Sequence, residues 1–176
     1  MTSSGLAQYD PASDEWTTYP AEGHDFVKDN GAGTVRIIGE EIWFSYGWSG
    51  DEEDGIGITR WNPDTDEYTH YEYPDTPNFP QGPVWEIRED PDGNVWVGTR
   101  FEVAAAWFDG TDWNKFGVEG GSTYFDCSFI DFDDQDRGYF QTWRGGLHVY
   151  DFSTQEWLHT DKCAVDGTES FLARGG

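Results

Sequence analysis

The chain is 176 residues long and carries a formal net charge of −25, from 35 Asp and Glu against 10 Lys and Arg. A charge of this sign repels nucleic acid and anionic membrane surfaces, and no apolar run approaches the roughly 20 residues that cross a bilayer as a helix. Only 36 % of residues are hydrophobic but 18 % are aromatic, so the core of a single domain must be built largely from rings.

In chain order, the N-terminal MTSSGLAQYDP has neither the basic region nor the apolar core of a signal peptide. Gly5–Tyr9 and Glu15–Tyr19 are predicted to be a pair of strands (residues 5–19), followed by a linker, Pro20–Gly33, that holds His24 and Asp25. Thr34–Ile38, Glu41–Tyr46, Ile56–Trp61 and Tyr68–Tyr71 form a first complete four-stranded unit (34–71). Its connection GWSGDEED, Gly47–Asp54, is the longest and most acidic. After a Pro-rich crossover at Pro74–Gly82, the strands Val84–Glu89, Asn94–Thr99, Val103–Phe108 and Asp112–Gly117 form a second unit (83–117). Cys127–Phe132, Arg137–Thr142, Gly146–Tyr150 and Glu156–Thr160 form a third (127–160). Ser170–Arg174, within 168–174, reads as the inner strand of a further or closing unit. On this reading the chain begins and ends within a unit, as an arc of a larger ring or a four-unit ring with an imperfect seam.

These units are repeats. Ile87–Thr99, IREDPDGNVWVGT, is a strand, a tight turn in which Pro91 presets φ and Gly93 takes a positive φ, and a second strand. It returns 43 residues later as Ile130–Thr142, IDFDDQDRGYFQT, with Tyr139 and Phe140 in the places of Trp96 and Val97. Ile37–Ser45, IIGEEIWFS, is a third copy with a shorter turn. A second signature, GLAQYDPASDEWTTY at Gly5–Tyr19, recurs at Gly57–Tyr71, Ala104–Phe116 and Gly146–Thr160. Its ring positions Tyr9, Trp61, Phe108 and Tyr150 lie 52, 47 and 42 residues apart. A period of about 40–50 residues holding four short strands is the signature of a β-propeller blade. The expected fold is all-β, with about four blade units of four-stranded antiparallel sheet.

The stretches DPDGNVWVGT at Asp90–Thr99 and QTWRGGLHVY at Gln141–Tyr150, together with an acidic turn followed by Trp-x-x-Tyr, resemble the two-component regulator propeller repeat. That resemblance covers nearly the whole chain. It implies a sensor or binding propeller of the kind that hybrid histidine kinases carry in the periplasm or outside the cell. It does not imply a catalytic site. Streptogramin lyases and gluconolactonases are built from similar blades, which keeps an enzyme reading in view.

With a blade's strands lettered A to D from the channel outward, propeller sites lie where the B–C and D–A loops converge. Here those loops supply Tyr46 and Trp48, Arg100 and Phe101, Trp143 and Arg144, and from the D–A side His24, Asp25, Tyr124 and Phe125. The expected ligand-binding residues are Tyr46, Trp48, Arg100, Trp143, Arg144 and His24. Arg beside rings suits a planar or carboxylated ligand, or a sugar-like one, held by bidentate hydrogen bonds and stacking. The plainer alternatives are that Arg100 and Arg144 pair with the surplus carboxylates, and that Trp48 covers its own blade.

Other constellations are weaker. Asp131, Asp133, Asp134 and Asp136 resemble a calcium loop but lack its Gly at position six and Glu at position twelve, and they align with the DPDG hairpin, so a solvated turn is expected. Cys127 and Cys163 show no metal-ligand spacing; Cys127 reads as a small buried residue, a disulfide between the two being the other option. His70 and His159 occupy equivalent strand positions. No catalytic residue, metal site or resident cofactor is expected. The function expected is non-catalytic ligand or partner binding, sensor-like. One alternative is a lyase or lactonase with a divalent cation, in which His24 is the lone channel-side histidine. Another is an acidic module for a basic protein surface. Expected partners are a small molecule or a protein, including further blades of a longer parent chain, and neither nucleic acid nor a membrane interior. With Lys28, Lys115 and Lys162 as its only lysines, the chain fits adaptation to high salt as well as an ordinary acidic surface.

Overall fold

The computed structural model describes residues 5–28, 32–47, 56–99, 105–117, 127–142 and 146–160. Every regular element among them is a strand. Strands β1 (Gly5–Asp10) and β2 (Glu15–Pro20) make a two-stranded antiparallel sheet. Strands β3 (Ala32–Ile38), β4 (Glu41–Tyr46), β5 (Ile56–Asn62) and β6 (Glu67–Tyr73) make the first four-stranded sheet. Strands β7 (Val84–Glu89), β8 (Val95–Thr99), β9 (Ala105–Phe108) and β10 (Trp113–Phe116) make the second. Strands β11 (Cys127–Phe132), β12 (Arg137–Thr142), β13 (Gly146–Asp151) and β14 (Glu156–Thr160) make the third. In each sheet the strands pair in sequence order, antiparallel throughout, which is the meander of a propeller blade. The expected all-β blade architecture is present. The inner strand expected at 168–174 lies outside the described residues.

Two strand limits move for physical reasons. β3 begins at Ala32, two residues before the predicted start, because a register shift between Ala32 and Val35 lets the strand bend and continue against β4. β6 runs on to Tyr73, paired without a break from Asn62↔Glu67 to Ile56↔Tyr73.

Alternation along each strand divides the side chains between two cores. Val95 and Val97 of β8 join Trp43, Ile58, Ile87 and Phe108 between the first and second blades. Trp96 points the other way, into a core with Ala105, Cys127, Ile130 and Phe140 between the second and third. All of β8 is therefore buried, with a different core on each face. A third core joins Phe26, Val27, Phe44 and Trp61 to Leu6 and Tyr19 of the two-stranded sheet. Phe26 stacks on Trp61 at 4.1 Å and 11°, and Phe79 meets Trp113 edge-on at 5.0 Å. Both rings come from linkers between sheets, so the linkers help to fill the blade interfaces.

On the β3 side of the first blade, Val35 and Ile37 pair with Phe44 and Ile42 and so share the face that meets the two-stranded sheet. Their exposures are 48 % and 77 %, because β1 and β2 cover only the outer part of that face.

Neighbouring inner strands are tied by charge. Arg36 of β3 bonds Glu86 of β7, and Arg88 of β7 bonds Asp131 of β11. With Ile37, Ile87 and Ile130 aligned in the repeat, each pair joins equivalent positions of adjacent blades, 50 and 43 residues apart. Carboxylates also make the turns. Asp10, Asp109 and Asp151 each accept a backbone N–H two or three residues on, as the Asn62 side-chain oxygen does at the matching turn. Part of the chain's acidity is thus turn chemistry.

Candidate functional site

The B strands β4, β8 and β12 end at Tyr46, Thr99 and Thr142, so the three B–C loops leave the same end of adjacent sheets. Trp48, Arg100, Trp143 and Arg144 lie outside the described residues, as do Phe101, Tyr124 and Phe125. Tyr46, His24 and Asp25 are described, and the structure places them in two separate groups of contacts.

Tyr46 is buried at 2 % exposure and donates its hydroxyl to Glu72 Oε1 at 2.7 Å. Lys28 Nζ stands 3.0 Å from the same oxygen and 5.9 Å from the centre of the Tyr46 ring. Burial, then the Glu72 hydrogen bond and charge, push the phenol well above its ordinary range, so it stays a donor. Burial works to raise the Glu72 carboxyl, but the Tyr46 hydroxyl and the Lys28 ammonium outweigh it and hold the group below its usual value. His70 joins this group. Its Nε2 lies 3.1 Å from the Asp25 carbonyl and its Nδ1 2.9 Å from Thr59 Oγ1. A carbonyl only accepts, so Nε2 carries the proton and Nδ1 accepts from the Thr59 hydroxyl. Burial, then the Lys28 charge, lower the His70 pKa and keep the ring neutral.

His24 sits apart. Its Nδ1 donates to the Pro20 carbonyl at 2.8 Å, and its ring meets Tyr19 and Phe26 edge-on. The adjacent Asp25 gives its carbonyl to His70. The structure therefore makes Tyr46 part of a fixed phenol–carboxylate–ammonium wall beneath the first B–C loop, and His24 part of the linker packing. Sequence reasoning missed Glu72 and Lys28. Glu72 falls one residue past the predicted end of its strand, and Lys28 lies in a linker with no repeat partner.

A cleft of about 350 Å³ opens at the opposite end of the sheets, between the second and third blades. Trp96, Trp107, Phe116, Phe132, Tyr150 and Phe152 line it, beneath the turns after β7, β11 and β13. The two A–B turns are built alike. Asp90 Oδ1 accepts the N–H groups of Asp92 and Asn94, and its Oδ2 accepts the Trp96 indole N–H at 2.8 Å. Asp133 Oδ1 accepts those of Gln135 and Arg137, and its Oδ2 the Tyr139 hydroxyl at 2.8 Å. Arg137 Nε also donates to Asp133 Oδ2 at 2.7 Å and, with these other donors, holds that carboxyl down at about 2.

The calcium-like run is accordingly a turn. Asp131 pairs with Arg88, Asp133 caps the turn, and Asp136 takes its left-handed φ of 60°. Among the described residues no three His, Cys, Asp or Glu side chains are grouped to hold a metal ion. Cys127 is a buried free thiol, pushed up to about 12 by burial.

Blades stacked through aromatic cores define the class: this is a β-propeller segment. Residues 78–101, the β7–β8 hairpin with its flanks, match the family model described as two component regulator propeller. The extracellular domain of BT3049 from B. thetaiotaomicron, named as a hybrid two component system, is similar in structure with a TM-score of 0.69 at 18 % identity. The match covers 92 % of this chain and 21 % of that one. The extracellular domain of BT4673 from the same organism matches with a TM-score of 0.65 at 16 % identity, over 89 % of this chain and 19 % of that one. The chain thus spans about a fifth of the length of these structures, and at such identities the likeness is one of fold. No curated protein matches the chain in sequence.

Proposed function

We propose that this chain is a ligand- or partner-binding, sensor-like part of a β-propeller with no chemistry of its own, and that the B–C and D–A loops are its contact face. The observation that carries this reading is that the B–C loops of three adjacent blades leave the same end of the sheets, beside the wall made by Tyr46, Glu72 and Lys28. Those loops hold the unrepeated Trp48, Arg100, Trp143 and Arg144, whereas the repeated residues are spent on packing and turns. Variation confined to one face of a repeat array is where such proteins bind. The match of residues 78–101 to a regulator propeller supports a sensor role, and it includes Arg100.

Lys28 is 38 % exposed, and its ammonium, paired with Glu72 at 3.0 Å, stands at the edge of this face. Together with the two arginines it suits a carboxylated or sugar-like ligand. Wild type and the double variant Trp48→Ala/Arg144→Ala would be screened by thermal shift against carboxylated sugars and small carboxylates. The expected result is stabilisation of wild type that the double variant loses, because a ligand of the folded state must raise stability. Equal stabilisation of both proteins would remove these residues from the site. Metal-dependent turnover of a lactone would replace the reading with an enzymatic one.

A further inference from the structure

We propose that the cleft between the second and third blades is a binding site for a small organic cation, an ammonium group carried on an apolar or aromatic body. This goes beyond the loop-face reading, since the cleft lies at the other end of the sheets.

The cleft follows from the lengths of the turns. The first blade's A–B turn is only Gly39–Glu40, between β3 and β4. The second and third blades carry the longer turns 90–94 and 133–136. Where these two blades meet, raised turns stand on both sides of the aromatic core. The core does not close the space between them. Trp107 stacks on Trp96 at 5.2 Å and 21°, and unlike the buried Trp96 it remains partly accessible. Phe132, Tyr150 and Phe152 are likewise partly accessible where they line the cleft. A cleft of about 350 Å³ matches the lower end of small-molecule sites, roughly 300–1,000 Å³.

The charge of the rim decides the class of ligand. Asp90, Asp92, Asp133 and Asp136 line it against one cation, Arg137. Four carboxylates and one guanidinium leave −3. Arg137 is moreover held by Asp133, through Nε at 2.7 Å and Nη2 at 2.6 Å, so its charge is already met within the turn. Asp90 and Asp133 are fixed in place by the turn hydrogen bonds. The carboxylates of Asp92 and Asp136 do not cap those turns and stand at an exposed rim. An anion is repelled here. A cation meets carboxylates at the rim and the negative faces of rings on the floor, and the two attractions add.

The test is calorimetric titration of the whole chain with phenethylammonium and with its neutral counterpart 2-phenylethanol, at one fixed ionic strength. The expected result is saturable binding of the ammonium, about 5- to 30-fold tighter than the alcohol, as a desolvated cation beside rings requires. Asp92→Asn/Asp136→Asn should reduce the ammonium's advantage over the alcohol, by removing the rim part of the attraction, at an unchanged melting temperature. Asn accepts the left-handed φ that Asp136 adopts, so that variant keeps its turn. Trp48→Ala/Arg144→Ala should bind the ammonium as wild type does, whether or not the loop-face reading holds. Equal affinity for the two probes, undiminished binding in the rim variant, absence of saturable binding, or loss of binding in the loop variant would each overturn the assignment.

Discussion

The indole N–H of Trp96 donates to Asp90 Oδ2 at 2.8 Å, so one residue joins a surface turn to the core between the second and third blades. Tyr139 and Asp133 repeat the contact one blade later, also at 2.8 Å. Trp96 makes ring contacts with Trp107, Phe116, Phe132, Phe140 and Phe152 at 5.2–5.7 Å. Trp96→Ala should cost about 3–5 kcal/mol, as for any large buried ring. Trp96→Phe keeps a ring but leaves Asp90 without its indole donor, and should cost about 1.5–3 kcal/mol, the usual weight of a hydrogen bond to a charged group. Chemical denaturation of the three proteins checks this; an alanine variant as stable as wild type would refute the central place given to Trp96.

Gly98 lies where the second and third blades approach closely. A Cβ built there would stand 2.6 Å from the carbonyl oxygen of Cys127, on the first strand of the third blade. That neighbour is backbone in a paired strand and cannot turn aside. Gly98→Ala should therefore destabilise by about 1–3 kcal/mol, the range of overpacking. Gly117→Ala, with nothing within 4 Å, is the control and should stay within about 0.5 kcal/mol of wild type. Equal midpoints for the two variants would show that the blades are not in this contact.

Acid should destabilise the chain in two stages. The His70 pKa is lowered in the folded state, by burial first and the Lys28 charge second. The unfolded chain then binds the proton more readily, so this contribution is present above 6.5 and fades as pH falls below it. The lowered carboxyls of Asp10, Asp109, Asp151 and Asp133 act in the same direction. Their contribution is present above 3.8 and fades as pH falls further, for Asp133 through about 2. Melting temperature against pH should show both declines, and His70→Gln should lose only the upper one. A curve flat down to pH 4 in wild type would contradict the role of His70.

Salt should stabilise the chain. A charge of −25 repels itself, while the described ion pairs of Arg36, Arg60, Arg88 and Arg137 are partly exposed and individually weak. Screening shortens the Debye length from about 10 Å at 0.1 M to about 3 Å at 1 M, and so removes more repulsion than attraction. Thermal melts from low to molar sodium chloride check this. A falling melting temperature would mean that the inter-blade pairs outweigh the net charge.

The blades were legible in the sequence because their causes are local. Turn residues such as Asp90, Pro91 and Gly93 act within a few positions, and a period-two strand pattern repeated every 40–50 residues has few other solutions. What the period could not say is which face of a strand meets which neighbour. Val97 and Trp96 alternate as the two sides of one strand, and only the stacking of blades on both sides decides that they lie in different cores. The same limit applies to sites. Tyr46 reads as a loop residue open to ligand, yet Glu72, 26 positions away, draws its hydroxyl into a buried contact. The cleft beside Trp107 is bounded by turns 43 residues apart in the chain, each a plain solvated turn on its own, which become the walls of one space only when the second and third blades pack. Local chemistry determined the strands and turns; distances between blades, absent from any single repeat, decided which side chains meet.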